Sequence, residues 1–164
     1  MNMSIRVIFV LASCVILSFP TKAEPTVEKT LNFINQKFKD YRPSTHDIYG
    51  ICPVETVTVV VPNIVITCWV EDRQRHDIYL DMRYMKKVSG EKWNQIAAVT
   101  FLCIDGEKCL LSESRYLGNG STEVYKSNLR RVFVSELDAA NRISRAFTHL
   151  ISLHAYLTKK KELF

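Results

Sequence analysis

The hydrophobic rhythm of the chain changes several times along its length. Residues 7–19 form one short apolar run. From Val27, apolar residues recur at Leu31, Ile34, Phe38 and Tyr41, in steps of four and three, with lysines and asparagines on the other faces. That period predicts a helix with a single apolar stripe. Thr26 is its expected N-cap, and Arg42-Pro43 its stop. The middle of the chain has a different period. VETVTVVV and IVITCWVE are dense in β-branched residues and are separated by Pro62-Asn63, which predicts a hairpin. HDIYLDMRYM alternates, with Ile78, Leu80, Met82 and Tyr84 on one side and Tyr79, Asp81 and Arg83 on the other, as in a strand with one wet face. WNQIAAVTFLC, CLLSES, TEVYKSN and LRRVFV continue the series, the third of them after a Gly118-Asn119-Gly120 turn. Helical spacing then returns at Ala140, Ile143, Phe147, Leu150, His154 and Leu157, widened by Ala139, Ala146 and Ile151. Ser135, with Asp138 three residues on, has the form of a capping box. The pattern predicts an α+β fold: an N-terminal helix, a curled antiparallel sheet or partial barrel of about seven strands, and a long C-terminal helix packed on it.

The first residues speak to compartment. Arg6 precedes the run from Val7 to Phe19, Pro20 ends it, and Thr21-Lys22-Ala23 supplies small residues at an exit. This is the order of a secretory signal peptide cleaved after Ala23. The run is also shorter than the roughly 20 residues a spanning helix needs. Leu11-Ala12-Ser13-Cys14 has lipobox residue types, but the chain stays apolar after Cys14. The expected division is therefore a signal at 1–23 and one disulfide-containing domain at 24–164, with no transmembrane segment after cleavage and a periplasmic or secreted location. Cleavage removes Arg6 and Lys22, so the 22 cations fall to 20 against 17 acids, a net charge of about +3. Such mild basicity argues against nucleic acid as the partner.

An exported chain changes the meaning of its cysteines. Beyond Cys14 there are four: Cys52, Cys68, Cys103 and Cys109. An even number in an oxidising compartment favours disulfides. Three pairings exist in principle. In TFLCIDGEKCLL, a turn at Asp105-Gly106-Glu107 would set Cys103 opposite Cys109 as a stapled hairpin, which leaves Cys52 with Cys68 across the turn at Pro62-Asn63. A zinc knuckle or a thioredoxin-like pair needs two intervening residues rather than five. His46, His76, His149 and His154 are scattered. The expectation is two disulfides, no metal and no cofactor.

No catalytic motif stands out, so no catalytic residue is assigned. There is no Gly-x-Ser-x-Gly elbow, phosphate loop, zincin helix or calcium loop. His149 lies in the apolar stretch of the last helix and reads as a half-buried structural histidine. His46-Asp47 and His76-Asp77 are adjacent pairs, whose side chains point apart in a strand. Asn119-Gly120-Ser121 matches a glycosylation acceptor and reads as a turn. Two groups suit recognition of a partner: Asp105, Glu107 and Lys108 at the tip of the disulfide loop, and Arg73 and Arg75 in DRQRHD, with Trp69 and Tyr79 nearby.

The order helix, antiparallel strands, long terminal helix resembles the pleckstrin-homology-like architecture. With RISRAFTHLISLHAYL at its end, the chain also resembles, over most of its length after residue 23, small exported bacterial proteins of unknown function. The resemblance implies a fold and no activity. The functional expectation comes from the staples: a non-enzymatic binding domain, an inhibitor or immunity protein, that recognises a secreted protein through rigid loops. The alternatives are a carrier of an apolar ligand between sheet and last helix, and a hydrolase.

Overall fold

A computed structural model describes residues 25–44, 52–70 and 74–162. The expected signal segment with Cys14, the pair His46-Asp47, and Arg73 lie outside the described residues. Helix α1 spans Val27–Asp40. Eight strands follow: β1 Val54–Val60, β2 Asn63–Val70, β3 Gln74–Asp81, β4 Met85–Trp93, β5 Ile96–Cys103, β6 Leu110–Tyr116, β7 Thr122–Ser127 and β8 Leu129–Val134. Helix α2 spans Leu137–Glu162. The fold is α+β, and its strands form two antiparallel sheets. The larger has the order β1-β2-β3-β6-β7 and the smaller β4-β5-β8.

Several local expectations are met by specific contacts. The Lys29 amide donates to Thr26 Oγ1 at 3.3 Å, which caps α1, and the helix buries Ile34 and Phe38. On β3, Ile78 and Leu80 face the interior, and Met82 continues the buried row. Tyr84 departs from it, because β3 ends at Asp81 and a single 3-10 turn, Met82–Tyr84, carries the chain into the other sheet. The first hairpin turns at Val61-Pro62, one residue earlier than expected, since Val60 pairs with Asn63.

Three expectations are corrected. MKKVSGEKW is an eighth strand, β4. Its lysines, glutamate and glycine have low strand propensity, and they suit an edge strand protected by charge. The capping box at Ser135 is replaced: the Ala140 amide donates to the Glu136 carbonyl at 3.1 Å, so Glu136 holds the N-cap position. Ser135 instead donates its amide to the Tyr41 carbonyl at 2.9 Å, and Asp138 pairs with Arg142 at 2.8 Å. The third correction concerns Cys103 and Cys109. They are not opposite each other in a hairpin. A strand has two edges, and those of β5 are taken by β4 and β8, while those of β6 are taken by β3 and β7. The disulfide therefore joins the end of one sheet to the start of the other.

The core lies between the two sheets and the two helices. Phe147 of α2 meets Phe101 of β5 edge-on at 4.9 Å and Phe38 of α1 at 6.3 Å. Burying such a ring stabilises by about 1.5–3 kcal/mol. The approach of α2 to β4 depends on Gly90: a Cβ there would lie 2.7 Å from the Asn141 amide nitrogen and 2.8 Å from the Ala140 carbonyl carbon. At the opposite margin, Asn35 of α1 both donates to and accepts from the Val57 backbone, at 3.0 and 2.7 Å. That pairs part of the free edge of β1.

Candidate functional site

Both disulfides form. Cys52 bonds Cys68 beside the first hairpin, and Cys103 bonds Cys109. The second lies where the chain changes sheets three times. From β3 to β4 it passes through the 3-10 turn, from β5 to β6 through residues 104–109, and from β7 to β8 through Asn128. Backbone bonds tie these crossings together. The Cys103 amide donates to the Asn128 carbonyl (2.9 Å), Ile104 to Tyr84 (2.8 Å), and Asp81 to Cys109 (3.0 Å). The intervening loop is a four-residue turn closed from the Glu107 amide to the Ile104 carbonyl at 3.0 Å, with Gly106 in the left-handed region at φ 85. The turn therefore begins one residue before the expected Asp105-Gly106-Glu107. All of residues 104–108 are exposed. A rigid base thus carries an exposed tip.

The expected site residues separate. Glu107 and Lys108 line a groove of about 320 Å³ with Tyr79, Asp81, Tyr84 and Lys126. Asp105 lies apart from that lining and pairs with Lys86 at 2.8 Å. Arg75 sits at the other end of β3, four residues or about 13 Å of strand from Tyr79, and bonds Asp77 at 3.0 Å. Asp77 is buried on this outward face and also accepts from Thr67 Oγ1 at 2.6 Å. Arg75 therefore belongs to a separate ion pair on the same face.

Within the groove, Asp81 grips Arg83 through two bonds, Nε to Oδ1 at 3.0 Å and Nη2 to Oδ2 at 2.7 Å. Those bonds hold the Asp81 carboxyl below the usual carboxylate range. The same guanidinium lies 5.4 Å from the centre of the Tyr84 ring. Tyr79 donates to Glu113 at 3.5 Å, and burial followed by the Glu113 charge pushes its phenol up. Glu107, Lys108 and Lys126 form no ion pair among the described residues. Sequence reasoning missed Tyr84 and Lys126. The alternation of HDIYLDMRYM sets Tyr84 with Ile78, Leu80 and Met82, away from the wet face, and Lys126 reaches the groove only through the register Tyr79–Leu111–Lys126 across β3, β6 and β7.

The histidines have other roles. His149 Nε2 lies 2.9 Å from the Pro25 carbonyl and ties α2 to the start of α1. His76 faces inward, with Nδ1 2.7 Å from Ser114 Oγ, while Asp77 faces outward. No carboxylate bonds the His76 ring among the described residues. Burial, and then the nearby Arg130, lower its pKa. Asn119 accepts from both the amide and the hydroxyl of Ser121, at 3.0 and 2.8 Å, which builds a turn. The space between the sheets and α2, where a carrier would hold an apolar ligand, is filled by Phe101, Ile143 and Phe147, each at most 1 % exposed. Among the described residues, no three of His, Cys, Asp and Glu converge as a metal site, and no helix is long and apolar enough to cross a membrane. Two disulfides fit an extracellular or periplasmic location. Comparison with family models, curated proteins and solved structures returned no match, so function rests on this geometry.

Proposed function

We propose that the chain is an exported, non-enzymatic binding protein of the periplasm or the secreted fraction. It recognises a protein partner through the groove beside the Cys103–Cys109 loop. The observation that carries this reading is a groove where Glu107, Lys108 and Lys126 form no ion pair among the described residues and lie beside Tyr79 and Tyr84, with the loop that carries Glu107 and Lys108 held at its base by a disulfide and backbone bonds. A loop whose backbone is already held, and tyrosines with few rotatable bonds, lose little conformational entropy on docking, which favours affinity. An inhibitor or immunity protein for a secreted hydrolase has this design. Glu107→Ala with Lys108→Ala should leave the unfolding midpoint unchanged and weaken capture of the partner from the extracytoplasmic fraction of the source cell. A capture profile identical to that of wild type contradicts the reading.

A further inference from the structure

The larger sheet ends on β7, and that edge is open. All of residues 122–126 are exposed, with Val124 at 56 % and Tyr125 at 46 %. At the other edge of the sheet, the Val57 backbone groups of β1 are taken by Asn35. Among the described residues no side chain guards β7 in this way. Its register with β6 runs from Thr122 to Ser127 without a bulge, and it contains no proline. The Tyr116 amide donates to the Ser121 carbonyl at 3.0 Å, which sets the phase of the ladder. Glu123, Tyr125 and Ser127 therefore turn their backbone groups toward β6, whereas Thr122, Val124 and Lys126 turn theirs away from it. The side chains alternate with the same period. Glu123 and Tyr125 share the inner face with buried Ser114 and Ser112, and Val124 and Lys126 share the outer face.

Two charges beside this edge, Glu123 and Arg130, form no ion pair among the described residues. The Arg130 guanidinium reaches from β8 to donate to the Tyr125 hydroxyl and lies 5.7 Å from the centre of that ring. We propose that β7 pairs antiparallel with β7 of a second copy of this chain, which joins their two five-stranded sheets into one across a two-fold axis. An axis normal to the sheet keeps inner face beside inner face, so opposed residues differ by an even number of positions. The free backbone groups must also meet. The register centred on Val124 satisfies both conditions. Outside, it sets Val124 on the partner's Val124 and Thr122 on the partner's Lys126. Inside, it sets Glu123 on the partner's Tyr125, whose hydroxyl holds the partner's Arg130, so each acid meets the cation it lacks. A register centred on Lys126 would oppose two like charges instead. The pairing goes beyond the recognition reading of the groove, and neither depends on the other.

The test is sedimentation equilibrium of the full-length mature protein from about 5 µM to about 1 mM, with amide hydrogen exchange followed by NMR at both ends of that range. One strand pair buries less than the roughly 1,600 Å² of a standard interface, so a dimer dissociation constant between about 10 and 500 µM is expected. Dimerisation should protect the amides of Thr122, Val124 and Lys126 and leave those on the free edge of β4 unchanged. Val124→Lys, which opposes two ammonium groups across the axis, should weaken the dimer at least about tenfold. Glu123→Lys, which brings a second cation to the partner's Arg130, should weaken it by a similar factor. Both positions are exposed, and melting curves check that each variant stays folded. A monomer throughout the range overturns the proposal. So do growth beyond a dimer, protection of the β1, β4 or β8 edge in place of β7, and a dimer that either variant leaves intact.

Discussion

The two sheets each turn one face outward, and the two faces are finished differently. On the smaller sheet, Trp93 packs on Phe133 at 6.2 Å, and the Arg131 guanidinium lies 4.4 Å from the centre of the Trp93 ring. Arg131 bonds Glu91 at 2.6 Å, and Glu91 also accepts from Thr100 at 2.6 Å. These side chains cover the small residues of β5, so that Ala98 is 0 % exposed although it faces out. The Thr100 and Arg131 bonds hold the Glu91 carboxyl below its ordinary range. The Glu91, Thr100, Arg131 and Trp93 cluster satisfies itself, and Lys87 at the end of that face forms no ion pair among the described residues. On the larger sheet, Arg75–Asp77 and Arg115–Glu113 are paired in the same way at one end, but at the groove end Glu107, Lys108 and Lys126 form no ion pair among the described residues. A cluster whose charges are mutually satisfied gains little from a partner, whereas several unpaired charges beside tyrosines can gain. On the proposed reading the small sheet is scaffold, and the large one displays.

That division can be broken by experiment. The largest effect belongs to the scaffold: Phe147→Ala should cost about 3–5 kcal/mol in chemical denaturation, with partner capture retained by whatever fraction stays folded. The disulfides come next. Removing Cys52–Cys68, which closes a sequence separation of 16, should cost about 3 kcal/mol by unfolded-state entropy, and partner capture should survive. Removing Cys103–Cys109, with a separation of 6, should cost less, about 2 kcal/mol, yet abolish capture. The smaller stability loss would then carry the larger functional loss; equal capture by both variants breaks the division. Gly90→Ala should destabilise by about 1–3 kcal/mol, because its Cβ meets the α2 backbone. The smallest effect is on pH dependence. The pKa of His76 in the folded protein lies below its ordinary 6.5, so the unfolded chain takes up this proton first on acidification. The stability contribution is complete above about pH 6.5 and is lost as pH falls from there toward the folded value. Denaturation midpoints of His76→Asn should therefore change less than those of wild type between pH 7 and 5.5.

The sequence carried the class and the cysteine partners, because both depend on local period and short spacing. The stripes at Ile34 and Phe38 and at Ile143, Phe147 and Leu150 are read correctly from steps of three and four. The pairing of strands was not legible, since alternation says which face a residue takes and not which strand lies beside it. IAAVTFLC held one clue: apolar almost throughout, it marks a central strand buried on both faces, which a hairpin arm with one wet face would not need. With β5 placed between β4 and β8, the Cys103–Cys109 link becomes a clamp between sheets, and Tyr84 and Lys126 reach the loop. Asp105, at the tip of the loop, has a partner in Lys86, nineteen residues away and not legible from pattern, whereas Arg75, an arginine near aromatics, has one in Asp77, which the two-residue period of a strand sets on the same face.

The most direct measurement sets the two outward faces against each other in one capture assay on the same extracytoplasmic extract. Tyr84→Ala with Lys108→Ala alters the groove, and Trp93→Ala alters the self-satisfied cluster; folding of each is checked by its melting curve. The account predicts that the captured protein is lost from the first variant and retained at the wild-type level by the second. Equal retention by both, or loss from the Trp93 variant alone, contradicts it.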